Sequence, residues 1–409
     1  MLKGRLLVLT PRFPYPTIGG DRIRILHLCR ALSDEFELTL LSMCETREEM
    51  RTEPQDGLFK HILRVYHPRW RAYLNTLCAL PGARPLQLAY YQNERFRDRV
   101  ETLLPHHDAV VAHLIRTGQY VLDSPVPTIL EMTDAISMNY LRMRQTDGNR
   151  DWKKLVYRVE QERLQRYETG VVRLFDRVWL TSHADRRFVD PQSECPIDVI
   201  PNGTDLEKLP FRPPAEKANA IVFIGNMVSV QNQDACLHFI RDILPLVRAK
   251  APVVFRIVGN APDKVLHQFS QYEGVELTGR IDRIQDGVNG AFCGVCPIRA
   301  GAGIQNKILE YFALGLPCVT SELGLGGVEA RHGEEALVYR DAEEAAEQIV
   351  RLHEDRPLRM RLAHAGRDLV GRKYDWKDIY RSFRSSAVET ESRYASRRAS
   401  AGSRVSSAA

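Results

Sequence analysis

Pro297-Ile298-Arg299-Ala300-Gly301-Ala302-Gly303-Ile304-Gln305-Asn306-Lys307-Ile308-Leu309-Glu310-Tyr311-Phe312-Ala313-Leu314-Gly315-Leu316-Pro317 is the stretch from which the organisation of the whole chain follows. The apolar run ending at Ile298 reads as a buried strand, the glycines after it as a loop, and Ile304 onward as a helix with Ile308, Leu309 and Phe312 facing a core. First-turn amides of such a helix are unpaired and carry positive partial charge, and Gly301 and Gly303 let the backbone come close to a phosphate. An anion is the natural occupant. Lys307, in the first turn, adds a full charge toward a diphosphate. Glu310 lies on nearly the same face, where a carboxylate repels phosphate but accepts from a pair of sugar hydroxyls. A solvent-facing Lys–Glu pair at a helix start is the plainer alternative.

Outward from this stretch, short apolar runs rich in β-branched residues alternate with amphipathic helical patterns. On the N-terminal side the runs are Leu6–Thr10, Leu38–Ser42, Ala109–His113, Thr128–Met132, Val178–Ser182 and Asp198–Pro201, with helices over Arg22–Leu32 and Trp152–Phe175. The later runs are Ala220–Gly225, Val254–Gly259, Val275–Gly279, Gly294–Ile298, Pro317–Ser321 and Ala336–Tyr339, with a helix over Asp234–Ala249. Such alternation is the signature of a parallel sheet flanked by helices, and it occurs twice. Between the halves stand Pro201-Asn202-Gly203, Pro210, Pro213 and Pro214 without periodicity, as in an interdomain linker. The expected fold class is α/β, two Rossmann-like domains facing across a cleft. The domains are residues 1–205 joined by a crossing helix at 375–385, then 206–374, then a disordered basic tail at 386–409.

Charge narrows the partners. The net +5 over 409 residues divides into +2 for residues 1–205, −1 for 206–375 and +4 for 376–409, so no general polyanion-binding surface and no nucleic acid is indicated. The tail from Ser386 is mostly Ser, Ala and Arg; a solvated terminus is favoured over a grip on anionic lipid. Eight cysteines lie mainly inside apolar runs, as buried thiols of a reducing compartment do, and Cys293-Gly294-Val295-Cys296 sits in a strand rather than opening a helix. Met1 to Arg5 runs straight into a strand and no 18-residue apolar stretch occurs, so a cytoplasmic protein is expected. Residues Arg69-Trp70-Arg71-Ala72-Tyr73-Leu74 to Leu80 mix basic, aromatic and apolar side chains. A helix packed on the sheet is the commoner arrangement for such a stretch, and contact with a membrane the rarer.

Gly303-Ile304-Gln305-Asn306-Lys307 through Leu309-Glu310-Tyr311-Phe312-Ala313-Leu314-Gly315-Leu316-Pro317-Cys318-Val319 resembles the donor-binding signature of family 4, "group 1" glycosyltransferases of the GT-B fold. Pro14-Tyr15-Pro16 with Gly19-Gly20, Val199 to Asp205, Ile224-Gly225-Asn226-Met227, Ile257-Val258-Gly259 and Leu277-Thr278-Gly279-Arg280 follow in the family's order, over about residues 4–385. The run Glu160-Gln161-Glu162-Arg163-Leu164 to Glu168 is similar to the PEP-CTERM/exosortase-associated exopolysaccharide transferases. The resemblance implies a nucleotide diphosphate-sugar donor, a glycan or lipid-linked acceptor, and hexosyl transfer with retention. It also implies a role in exopolysaccharide or cell-surface polysaccharide biosynthesis; with no metal motif and no Asp-x-Asp in the sequence no metal or other cofactor is expected, and the +4 tail is what would assist a weak peripheral contact with an anionic membrane.

Carried over residue by residue, the family's ribose-binding glutamate falls on Glu310, while its partner eight positions earlier falls on Ala302 and is absent. The family's Arg and Lys after the first strand of the second domain are replaced here by Gly225-Asn226-Met227, so Lys307, with Arg299, is inferred to meet the charge of the leaving diphosphate. Gly19 and Gly20 resemble the family's glycine loop, a simple turn being the alternative. His113 is expected to contact the donor sugar, against a satisfied core histidine. Asp134 aligns with an acceptor-binding or basic position, Arg280 with a nucleobase neighbour, and Gly225, Asn226, Gly303 and Ile304 with the donor loops. A nucleotide-sugar 2-epimerase of the same fold and a non-catalytic binding subunit are the competing functions.

Overall fold

The structure, a computed structural model, describes residues 4–17, 20–145, 151–299 and 303–406, and divides into two units, Met1–Ile200 with Ile379–Ala409, and Pro201–Asp378. The break falls at Pro201 rather than after Asp205 because the linker is tied to the second unit: Thr204 bridges Asp375, its N–H donating to the Tyr374 carbonyl at 2.8 Å.

The first unit is built on seven parallel strands: β1 Gly4–Thr10, β2 Phe36–Cys44, β3 His61–Tyr66, β4 Ala109–His113, β5 Thr128–Thr133, β6 Arg177–Leu180 and β7 Ile197–Val199. They lie in the order β3-β2-β1-β4-β5-β6-β7. The inner strands are apolar on both faces because helices cover both, and Leu6 to Leu9 are wholly buried. β3 has no counterpart among the expected strands. It is the edge strand, and exposed His61 and Tyr66 break the apolar run by which buried strands are recognised.

The second unit carries six parallel strands: β8 Ala220–Ile224, β9 Val254–Val258, β10 Val275–Gly279, β11 Ala291–Cys296, β12 Cys318–Ser321 and β13 Ala336–Tyr339, in the order β10-β9-β8-β11-β12-β13. Strand order therefore reverses between β1 and β4 and again between β8 and β11, and ligands of such sheets bind outside the carboxyl ends at these reversals. The helix expected over Asp234–Ala249 runs over 230–248 with a π-turn at Phe239–Ile243 just before Pro245, which has no N–H to give to a helical bond.

Two expectations are corrected. Over its described residues, 386–406, the tail is not disordered: a helix spans Trp376–Ser406 and from Ile379 belongs to the first unit. Phe383 stacks edge-on to Trp179 at 5.1 Å, the Trp179 indole donates to Ser386 at 2.8 Å, and Ser386, Ala387 and Thr390 are buried. The stretch at Arg69 is a helix, Arg69–Ala79, but it does not pack its apolar face on the sheet; Ala72 alone is buried. The eight cysteines are free and only Cys78 is exposed, with Cys293 and Cys296 inside β11, where burial raises their thiols. No described helix is long and apolar enough to cross a membrane.

Candidate functional site

In the second unit the helix Asn306–Leu314 leaves the loop after β11 and is held to the sheet by Tyr311. The Tyr311 hydroxyl reaches the Val222 and Val295 carbonyls at 3.2 and 3.1 Å and accepts from the Ile224 N–H at 2.9 Å, so the ring sits across β8 and β11. Gly294 makes room for it, since a Cβ there would come within 2.5 Å of the ring. Buried Ile308, Leu309 and Phe312 complete the inward face, and Gly315 ends the helix in the left-handed region at φ 81°.

This seating delivers Lys307 to the end of β8. Its ammonium lies 5.0 Å from the Phe223 ring centroid, 3.2 Å from Gln305 Oε1 and 3.4 Å from Asn232 Oδ1, and no described carboxylate is within ion-pair distance. A buried ammonium with three protons and two neutral acceptors is a pre-formed anion contact. Asn232 is the hinge of the arrangement: its Nδ2 donates to the Asn226 carbonyl at 2.9 Å, tying the loop after β8 to Lys307. Asn226 Oδ1 in turn accepts from the Val228 N–H at 3.1 Å, and the Gly225 N–H donates to the Val258 carbonyl at 2.9 Å. Sequence reasoning passed over Asn232 because it brings no charge; its work is orientation.

Gly303 sits at φ 72° beside buried Ile304, and its carbonyl would lie 2.8 Å from a Cβ on Gly326, itself at φ 55°. Ser321 Oγ donates to the Ile298 carbonyl at 2.6 Å and accepts from the Gly324 N–H at 2.9 Å, so the loops after β11 and β12 are knit together. Glu310 is one turn beyond Lys307. Burial pushes its carboxyl up to about 7, with Lys307 opposing. Arg299 is not available as a lone charge: its guanidinium makes a forked pair with Asp234 at 2.7 and 3.2 Å. Arg280 stands exposed after β10, the edge strand, and makes no described contact with Lys307 or Glu310. Gly19 and Ala302 lie outside the described residues.

In the first unit Gly20 opens the helix Gly20–Leu32, and Arg24 on its buried face donates through Nε to Glu131 Oε1 in β5 at 2.6 Å. The other oxygen of Glu131 lies 2.5 Å from His113 Nδ1 at the end of β4. Burial opposes the charge of Glu131, but Arg24 and then His113 outweigh it and hold the carboxyl down to about 2. Glu131 accepts from Nδ1–H of His113, which fixes the ring and leaves Nε2 as its other polar atom. His113 lines a narrow crevice with Pro11, Arg12 and Asp21. Arg12 and Asp21 pair directly; burial raises the Asp21 carboxyl, yet Arg12, His113 and Arg116 bring it below its ordinary range. The competing expectation of a histidine satisfied in the core is met halfway, because His113 is buried and one nitrogen is spoken for. Arg24, Glu131 and Arg12 were missed. A lone glutamate inside Thr128-Ile129-Leu130-Glu131-Met132-Thr133 was the available signal, since a charge in a buried strand requires a partner.

Asp134 accepts from the Thr181 hydroxyl at 3.1 Å; burial and then repulsion from Asp185 push its carboxyl well above the usual carboxylate range. Asp185 accepts from the Ala135 N–H at 2.9 Å and Glu168 from the Ile136 N–H at 2.8 Å, so two carboxylates cap the first amides of the helix Ile136–Gln145. Asp134 thus belongs to a carboxylate cluster at a helix start, and no described contact joins it to His113.

Residues 218–355, which include β8 to β13 and Lys307, match the family model "Glycosyl transferases group 1". The "Uncharacterized 44.6 kDa protein in cps region" of Klebsiella pneumoniae is 20% identical over 403 residues, 92% of this chain and 98% of the relative. Sucrose-phosphate synthase from Thermosynechococcus elongatus superposes with a TM-score of 0.68 at 15% identity, covering 92% of this chain and 97% of that one. HepE of Anabaena, solved in complex with UDP and glucose, gives 0.67 at 14% identity, covering 94% and 100%. The fold is GT-B.

Proposed function

We infer that this protein is a glycosyltransferase that moves a hexose from a nucleotide diphosphate-sugar to a glycan or lipid-linked acceptor. The observation that carries it is Lys307: a buried ammonium with no carboxylate partner among the described residues, beside a glycine loop at the strand-order reversal, inside the span that matches the group 1 model. UDP and glucose in the HepE structure support a nucleotide-sugar donor, and the cps-region relative supports polysaccharide biosynthesis. The resemblance at Glu160 to Glu168 narrows this to exopolysaccharide transferases of the PEP-CTERM/exosortase kind, acting with retention in the cytoplasm at the inner membrane.

In this mechanism the Gly303 and Ile304 backbone and the first turn of Asn306–Leu314 receive the diphosphate, and Glu310 accepts from the ribose hydroxyls. As the sugar–phosphate bond breaks, negative charge grows on the departing diphosphate and Lys307 stabilises it, aimed beforehand by Asn232 and Gln305 so that no reorganisation is needed. The reaction takes no metal. His113, its ring held by Glu131, offers Nε2 to a hydroxyl of the reacting sugar. Arg299 contributes only by leaving Asp234, an exposed pair that costs little to break.

Turnover of UDP-, GDP- and ADP-sugars with lipid-extract acceptors, with a chelator present, tests this. Wild type should transfer, and Lys307→Ala should lose about 100- to 1,000-fold in kcat. Absence of transfer or hydrolysis from every donor sinks the enzyme reading and leaves the binding subunit. Exchange at C2 without transfer would make the protein an epimerase.

A further inference from the structure

We propose that the helix Arg69–Ala79, with Tyr66 and Leu80, is a docking surface for an anionic lipid bilayer. The proposal stands independently of the transferase assignment. Trp70 is 65% exposed, Tyr73 59%, Leu74 51%, Leu77 60% and Leu80 51%, and Tyr66 at the end of β3 adds 42%. These positions fall at helical spacing, so one apolar stripe faces solvent while the opposite side holds the fold through buried Ala72 and the Asn75 Nδ2 bond to the Gln92 carbonyl at 2.9 Å. The helix is therefore anchored with its apolar face outward.

The occupant follows from charge. Residues 67–84 contain Arg69, Arg71 and Arg84 and no Asp or Glu. Arg84 is held by two neutral glutamine oxygens, of Gln92 and Gln119, while Arg163, which donates to the Leu80 carbonyl at 2.8 Å, is offset by Glu160 at 3.9 Å. Arg69 alone among the three is offset, by Glu45 at 2.9 Å. Aromatic rings beside aliphatic side chains and an arginine fringe suit a helix lying in the plane of an interface, its stripe in the acyl boundary and its guanidinium groups among phosphates. A second copy of the chain fits poorly. Self-pairing of this face would bring Arg69, Arg71 and Arg84 against their own copies.

Cys78, on the same helix and alone in being exposed among eight free cysteines, provides a built-in reporter. The full chain, labelled at Cys78 with an environment-sensitive maleimide, is mixed with phosphatidylglycerol–phosphatidylcholine vesicles and, separately, with pure phosphatidylcholine vesicles. The expected result is a blue shift and co-sedimentation with the anionic vesicles. Leu74→Glu with Leu77→Glu should lower partitioning at least about thirtyfold, and Arg71→Glu about fivefold, with thermal unfolding unchanged because all three side chains are exposed. Failure of the wild type to bind anionic vesicles overturns the proposal. So does binding that survives the double Leu variant, which would place the contact elsewhere, for instance on the terminal helix. Concentration-dependent dimerisation lost in that variant, without vesicle binding, would make the face a self-association surface and also overturn it.

Discussion

Glu131→Gln isolates the buried charge set of the first unit. Glu131 is fully buried, bonded to Arg24 Nε at 2.6 Å, His113 Nδ1 at 2.5 Å and the Thr133 hydroxyl at 3.0 Å. Burial alone would raise its carboxyl; Arg24 and His113 instead take it from 4.5 to about 2. A depression of that size corresponds to about 3 kcal/mol of folding free energy at neutral pH. Because the folded value is the lower one, the contribution is complete above the unfolded value of 4.5 and drains away as pH falls toward about 2. Glutamine keeps the volume but leaves the Arg24 guanidinium, 1% exposed and set over the Phe383 ring, facing a neutral amide. The expected cost is about 3–5 kcal/mol, read as a lower urea midpoint at neutral pH with a flatter dependence on acid. Adding Arg24→Met to Glu131→Leu should recover most of that stability, since an apolar pair of similar volume replaces a buried ion pair without penalty. It should not recover sugar transfer, because nothing then accepts from Nδ1–H of His113 and holds its ring. A Glu131→Gln variant within about 0.5 kcal/mol of wild type, or a double variant that regains turnover along with stability, would refute the role assigned to Glu131.

Three further outcomes follow from the same structure. Glu310, raised to about 7, must ionise to accept ribose hydroxyls, so the donor KM should fall as pH rises through 7, and Glu310→Gln should flatten that profile in steady-state kinetics. Burial likewise raises Glu168 to about 7, so its stabilising contribution is present below 4.5 and lost as pH rises through 7. Glu168→Gln should melt close to wild type in mild acid and about 2–4 °C higher near pH 8; equal melting curves at both would contradict the buried charge. Gly326→Ala forces a side chain into φ 55° and to 2.8 Å from the Gly303 carbonyl, so nucleotide titration should show donor affinity reduced about tenfold through displacement of the glycine loop, while kcat at saturation changes less.

What could be read in the sequence, and what could not, divides along a physical line. Inner strands such as β1, β2, β4, β8 and β11 announce themselves because helices cover both faces and nearly every position is apolar; the edge strand β10 is legible by alternation, with Glu276 and Thr278 exposed between half-buried neighbours, whereas exposed His61 and Tyr66 break the run at β3. Lys307 was legible because a loop's glycines and the helix after it are contiguous. The Arg24–Glu131 pair joins residues 107 apart, and nothing local names the partner. Ser386 and Thr390 were dismissed as tail because burial was equated with large apolar side chains, yet small residues are what let a helix lie against Trp179. The helix at Arg69 is the converse. Its stripe of Trp70, Tyr73, Leu74 and Leu77 has the period of a core-facing helix and was taken for one, but periodicity establishes only that an apolar face exists. What covers that face is settled by which side carries the small residue that can approach the fold, and here that is Ala72, on the other side from the stripe. An apolar stripe that the chain leaves to solvent, on a helix that itself carries arginines and no acid, has a cost in water that an anionic interface removes.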